Sequence, residues 1–141
     1  MEYAGDISPQ QCWDMITTSN GAVLIDVRTR AEWTFVGAPA MPDGGVVLGQ
    51  EWQVYPQMSV DPEFANTLAK SLNDAGKGPE TPLCFLCRSG VRSLAAARAM
   101  AAAGFEKSYN IAGGFEGDAD GEGHRGNVNG WKAVGLPWRQ N

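Results

Sequence analysis

The sequence predicts an α/β fold: a single domain with a central, mostly parallel sheet of about five strands flanked by helices. Three observations predict it. Ala22-Val23-Leu24-Ile25 and Leu83-Cys84-Phe85-Leu86 are short apolar runs without alternation, the pattern of strands covered on both faces. Such runs alternate with stretches whose apolar residues recur at helical spacing, the order that builds parallel sheets. The length, 141 residues, suits one domain able to bury a core without staples. The domain is read as residues 1–141, with its core from about residue 8 to residue 138 and a Gly-rich loop over residues 113–130. No internal repeat is visible.

The elements follow in order. Ser8, Pro9 and Gln11 form a helix start, with Ser8 as N-cap, Pro9 in the first position and Gln11 completing a capping box. Cys12, Met15 and Ile16 then share one face, which makes Cys12 a core residue. Asn20-Gly21 is a turn before the strand that ends in Asp26. Thr29 to Glu32 cap a short helix carrying Trp33 and Phe35, and Val46-Val47-Leu48 is a second strand. Residues 49–59 read as a covering loop, in which Trp52 and Tyr55 are candidates for an exposed interface.

Asp61 and Pro62 open the next helix as N-cap and first position. Phe64, Leu68 and Leu72 lie on one side of it, and Asn73-Asp74-Ala75-Gly76 ends it. After the strand at residues 83–86, the alanine-rich residues 94–103 form a helix that can lie close to a sheet, closed by Gly104. Ser108-Tyr109-Asn110-Ile111 is the last strand. Trp131 to Val134 is a short helical turn, and Gly135-Leu136-Pro137-Trp138 an apolar plug.

Composition narrows the function. Hydrophobic residues at 43% and charged residues at 19% fit a soluble globular protein. A net charge of −5 argues against nucleic acid or an anionic membrane surface as the main partner, since both need a basic patch. No run of 18 apolar residues suggests a membrane span, and the N-terminus lacks the layout of a signal peptide, so a cytoplasmic location is expected. Three unevenly spaced cysteines, Cys12, Cys84 and Cys87, are not a disulfide framework.

The chemistry concentrates at Cys87, which stands where a buried strand ends and a strong helix is about to begin. Ligands of parallel sheets bind at the carboxyl ends of the strands. A loop wrapped over a helix start aims unpaired N–H groups at one point and forms an anion-binding nest. A thiolate or persulfide is stabilised in such a place, and Arg88 and Arg92 bring cations to it. Gly90 permits the tight turn. The alternative, an inert buried cysteine, leaves this surrounding pattern without a reason.

Cys87-Arg88-Ser89-Gly90-Val91-Arg92-Ser93 resembles the active-site loop of rhodanese-like sulfurtransferases. Leu24-Ile25-Asp26-Val27-Arg28 with Glu32-Trp33 resembles the early strand of that family and its Asp-x-Arg…Glu signature. Ile111-Ala112-Gly113-Gly114-Phe115, Gly130-Trp131 and Gly135-Leu136-Pro137 resemble its closing segments. The likeness runs from about Ser8 to Trp138. It implies a rhodanese-like fold and thiosulfate sulfurtransferase activity through a persulfide on Cys87. The amides of residues 88–93 would cradle the terminal sulfur, and Arg88 and Arg92 would hold a small anionic donor. The acceptor would be cyanide or a thiol, possession of an acceptor protein being left open.

The resemblance makes Asp26, Arg28 and Glu32 structural supports near the site, while the residues alone read as a surface or semi-buried ion pair. No metal or cofactor is implied. Two departures stand out. Val36-Gly37-Ala38-Pro39 and a longer run to Pro56 replace the usual Gly-His-Ile-x-Gly-Ala stretch, and residues 117–130 look inserted.

The same residues admit other readings. A non-enzymatic module that carries sulfur for, or binds, a dedicated partner keeps the same loop. Cysteine phosphatases and arsenate reductases place an arginine six residues after the cysteine, where this chain has Ser93. Cys84-x-x-Cys87 is formally a redox motif, but Cys84 falls inside the strand. Residues 121–126 match Gly-x-Gly-x-x-Gly without a preceding apolar strand, and only 15 residues follow, too few for the acidic ribose partner. Asp118-x-Asp120-Gly121 hints at calcium with its glycine too early. The single histidine, His124, argues against zinc.

Overall fold

The computed structural model describes residues 3–18, 22–40, 46–54 and 59–139. The turn expected at Asn20-Gly21, together with Tyr55 and Pro56, lies outside these residues. The elements are β1 (Gly5–Ile7), α1 (Pro9–Thr18), β2 (Val23–Asp26), α2 (Arg30–Phe35), β3 (Ala38–Pro39), β4 (Val46–Gly49), β5 (Gln53–Val54) and β6 (Ser59–Val60). They continue with α3 (Phe64–Asp74), β7 (Leu83–Leu86), α4 (Val91–Ala102), β8 (Ser108–Ile111) and β9 (Trp138–Arg139).

Five strands form the central sheet in the order β1-β8-β7-β2-β4, and every neighbouring pair is parallel. The mostly parallel five-stranded α/β architecture is therefore present. Every residue of β2 and β7 is buried, as unalternating apolar strands require. Along β7, Leu83 and Phe85 enter one core layer with Phe64, Leu68, Leu72, Ala96, Ala97 and Met100 of α3 and α4. Cys84 and Leu86 enter the other, with Cys12 of α1 and Phe115, Trp131 and Leu136 of the C-terminal segment. The alanines bring α4 close to the sheet.

Local signals account for the helix starts. Gln11 N–H donates to Ser8 Oγ at 3.0 Å and Ser8 N–H to Gln11 Oε1 at 2.8 Å, the reciprocal capping box expected there. Thr29 caps α2 in the same manner with Glu32.

Several expectations are corrected. β1 precedes the core expected to begin near residue 8: it has three residues, one of them glycine and one aspartate, and owes its extension to parallel pairing with β8. Helix α3 starts at Phe64 because Asp61, Pro62 and Glu63 form a preceding turn, Glu63 N–H donating to Asp61 Oδ1 at 2.9 Å and Phe64 N–H to Asp61 O at 3.2 Å. Helix α4 starts at Val91, earlier than residue 94, because Gly90 at φ +111° turns the chain directly into it. Residues 49–59 are not only loop, since β5 pairs with β6.

Trp52 is not an exposed interface residue. It packs against the core, its ring 4.9 Å from that of Phe64. Residues 131–135 form a hydrogen-bonded turn, and the plug is Trp131 with Leu136. Trp138 is 39% exposed and extends in β9 beside β3. Among the described residues no helix is long and apolar enough to cross a membrane.

Candidate active site

Cys87 follows the carboxyl end of β7, between the ends of β2 and β8. It is 1% exposed, and it lines a cleft of about 700 Å³ shared with Arg88, Ser89, Arg92, Glu32 and Arg125. Its Sγ accepts the N–H of Gly90 at 3.0 Å. Ser93, in the first turn of α4, lies with Oγ 3.2 Å from the sulfur. The sulfur therefore meets a main-chain amide and a hydroxyl at the start of a helix, where the partial charge is positive.

Ser93 is itself held. Its Oγ donates to Asn110 Oδ1 at 2.5 Å, and Asn110 Nδ2 donates to Asp6 Oδ1 at 3.1 Å. The carboxylate of Asp6 fixes which way the amide points, because it can only accept when ionised. A polar chain thus runs from β1 through β8 to the sulfur. Asp6 and Asn110 were missed from sequence. The available signal was an asparagine near the carboxyl end of the strand Ser108–Ile111, the end at which ligands of parallel sheets bind.

Arg92 and Glu32 join α4 to α2 by a two-pronged ion pair, Nη1 to Oε1 at 2.7 Å and Nη2 to Oε2 at 2.8 Å. Burial pushes the Glu32 carboxyl up. Hydrogen bonds from Arg92 and Thr29, with the Arg92 charge, outweigh it and bring the pKa to about 2. Arg92 is raised by the Glu32 hydrogen bond against an opposing effect of burial, with the charges of Glu32, Cys87 and Asp26 adding to the rise. Its guanidinium lines the cleft with its fork occupied by Glu32. Arg88 is exposed at the same cleft.

Asp26 and Arg28 form a deeper pair than a surface or semi-buried one, at 2.8 Å with side chains 3% and 0% exposed. Arg28 also donates to Gly37 O at 2.8 Å and lies 4.2 Å from the ring centre of Phe115. Its role is to tie the end of β2 to the segments around residues 37 and 115. Of the predicted site residues, Cys87, Arg88, Ser89, Val91, Arg92 and Glu32 line the cleft. Ser93 and Gly90 contact the sulfur. Asp26 and Arg28 stand behind.

The glycine pair after β8 clamps the loop. Phe115 N–H donates to Cys87 O at 2.8 Å, and the N–H groups of Glu116 and Gly117 donate to Arg88 O at 3.0 and 3.1 Å. Gly114 has φ +61°, and a Cβ there would stand 2.5 Å from Cys87 O and 2.6 Å from the Arg88 carbonyl. Only glycine lets the two backbones approach so closely.

The remaining motifs resolve into structure. Cys84 points into the layer opposite Cys87, where Cys12 also lies; the neighbouring Cys84 thiol, and then burial, push the Cys12 thiol up. A Cys84–Cys87 resolving pair does not match this placement. Asp120 collects the N–H groups of His124 and Glu122, each at 2.9 Å, and Asn127 Nδ2 at 3.0 Å, which lowers its pKa. Asn129 Nδ2 donates to Asp118 Oδ2 at 3.0 Å. The apparent nucleotide and calcium motifs are parts of one hydrogen-bonded turn.

Fold and site together define an α/β domain that presents a cysteine loop at the carboxyl edge of a parallel sheet. The chain belongs to the rhodanese-like domain family, whose model matches residues 8–120. An uncharacterized protein of Rickettsia conorii, RC0915, is 34% identical over 134 residues, covering 95% of this chain and 96% of that protein. A thiosulfate sulfurtransferase, GlpE, of Actinobacillus succinogenes is 28% identical over 132 residues, covering 94% and 87%. Among solved structures, Rv0390 from M. tuberculosis superposes with a TM-score of 0.86 at 45% identity, over 99% of this chain and 100% of that one.

Proposed function

We propose that this chain is a thiosulfate sulfurtransferase that carries sulfane sulfur on Cys87. The observation behind the reading is the surroundings of Sγ: a cleft-lining sulfur just before α4 that receives the Gly90 amide. The family and the thiosulfate sulfurtransferase relative point to the same chemistry.

In the first half-reaction the Cys87 thiolate attacks the outer sulfur of thiosulfate. A new S–S bond forms, the S–S bond of the donor breaks, and its electron pair leaves on sulfite. In the second, cyanide or a thiolate attacks the outer sulfur of the persulfide and the electron pair returns to Cys87. This is two-step covalent catalysis, needing neither metal nor redox cofactor. Ser93 in place of an arginine six residues after Cys87 is the feature that disfavours a cysteine phosphatase. The site lies in the cytoplasm on this reading.

The test is intact-mass measurement after thiosulfate treatment. The wild-type chain gains one sulfur atom and Cys87→Ala gains none, with thiocyanate formation from cyanide lost in the same variant. A sulfur adduct that persists in Cys87→Ala, or turnover without an adduct, overturns the reading. A persulfide that forms, resists cyanide and small thiols, and is discharged by one protein alone identifies a dedicated carrier instead.

A further inference from the structure

The cleft holds more positive charge than its paired groups absorb. Arg92 spends its fork on Glu32. Arg88 and Arg125 line the same cleft and, among the described residues, neither enters an ion pair. Arg125 donates Nη1 to Gly117 O at 2.6 Å, which anchors one edge of its guanidinium and leaves the other donors to a ligand. Glu116 is the other carboxylate at the cleft, so among the described residues three guanidiniums there meet two carboxylates. Two guanidiniums outside any ion pair among the described residues, in the cleft that Cys87 lines, stand out in a chain of net charge −5.

Arg125 is placed by folded structure. Its segment is docked to the Cys87 loop through the bonds to the Cys87 and Arg88 carbonyls, and Gly126 N–H donates to Glu116 O at 2.7 Å. The Asp120 turn precedes it. A side chain set in advance binds with less ordering cost. A cleft of about 700 Å³ suits a small organic molecule and exceeds the need of an inorganic oxyanion.

From this cleft we infer that the sulfur acceptor is a low-mass thiol bearing carboxylate groups, held by Arg88 and Arg125, with Arg125 setting the preference. The inference rests on the persulfide reading above. The acceptor thiolate attacks the outer sulfur of the Cys87 persulfide, one S–S bond replaces another, and the electron pair returns to Cys87. The carboxylates take no part in bond exchange; they bring the thiolate to the sulfur.

The experiment uses the full chain, charged with thiosulfate and checked by intact mass, then discharged by mercaptosuccinate or by uncharged 2-mercaptoethanol. The readout is the ratio of kcat/KM for the two thiols. Arg125→Gln lowers that ratio about ten-fold, as loss of one charge-assisted hydrogen bond predicts, and Arg125→Lys restores most of it. An unchanged ratio in Arg125→Gln overturns the inference, as does an equal loss with both thiols, which marks a structural role. Absence of a persulfide before any acceptor is added overturns the sulfurtransferase reading and this inference with it.

Discussion

Glu32 does two jobs with one carboxylate. It closes the capping box of α2 and holds Arg92 across the cleft. Its pKa of about 2, against an ordinary 4.5, makes it a pH-dependent support. Because the folded value is depressed, its contribution is complete above pH 4.5 and is lost as pH falls from 4.5 toward 2. With the side chain 20% exposed, solvent screening trims that contribution to on the order of 2 kcal/mol. Urea denaturation of wild type and Glu32→Gln checks it: the stability gap is widest near neutral pH and narrows steadily below pH 4.5.

The same residues show what sequence could and could not disclose at this scale. Cys87, Ser93 and Gly90 were legible because strand, loop and helix start are contiguous in the chain. The pairing of Glu32 with Arg92 was not, because 60 positions separate them and an ion pair leaves no periodic mark. Asp6 and Asn110, 104 positions apart, were hidden for the same reason.

Among the elements, the sheet and the capped helices follow from local signals, while the clamp over the Cys87 loop depends on how the β8–Gly114 segment meets β7. Gly114→Ala puts a methyl group against the Cys87 and Arg88 carbonyls at a φ that L-residues avoid. Its expected cost is about 2–3 kcal/mol, with a loop shift that slows persulfide formation at least ten-fold. Gly76→Ala at the end of α3 supplies the comparison, since its φ is +77° but nothing lies within 4 Å of the new Cβ. Strain alone predicts about 1 kcal/mol there, with the rate of persulfide formation retained. Stopped-flow kinetics beside thermal denaturation separates the two effects.

At the scale of the whole molecule, the two faces of the sheet are covered by different parts of the chain. α3 and α4 cover one. The other depends on α1 and on residues near the C-terminus, chiefly Trp131, which is fully buried, meets the ring of Trp13 at 6.1 Å and donates Nε1 to Pro137 O at 2.7 Å. Trp131→Ala is expected to destabilise the chain by about 3–5 kcal/mol, read as a lower urea midpoint. Trp138→Ala, at a 39% exposed position, costs less. The inversion of these two tryptophans relative to the expected plug has a simple cause. Trp138 is held at the surface by the pairing of β9 with β3, with Lys132 Nζ 4.0 Å from its ring, while Trp131 enters the core.

By itself the sequence determined the parallel α/β sheet, the helix caps at Ser8 and Thr29, and the place of Cys87 between a strand end and a helix start, because all of these are written in neighbouring residues. Tertiary structure alone decided that Arg92 is spent on Glu32, that Asp26 and Arg28 are fully buried, and that Arg125 of the Gly-rich segment reaches the cleft. The reason is that side-chain charges and hydrogen-bonding groups choose partners by distance in space, and distance between remote segments is set only when the sheet has brought them together.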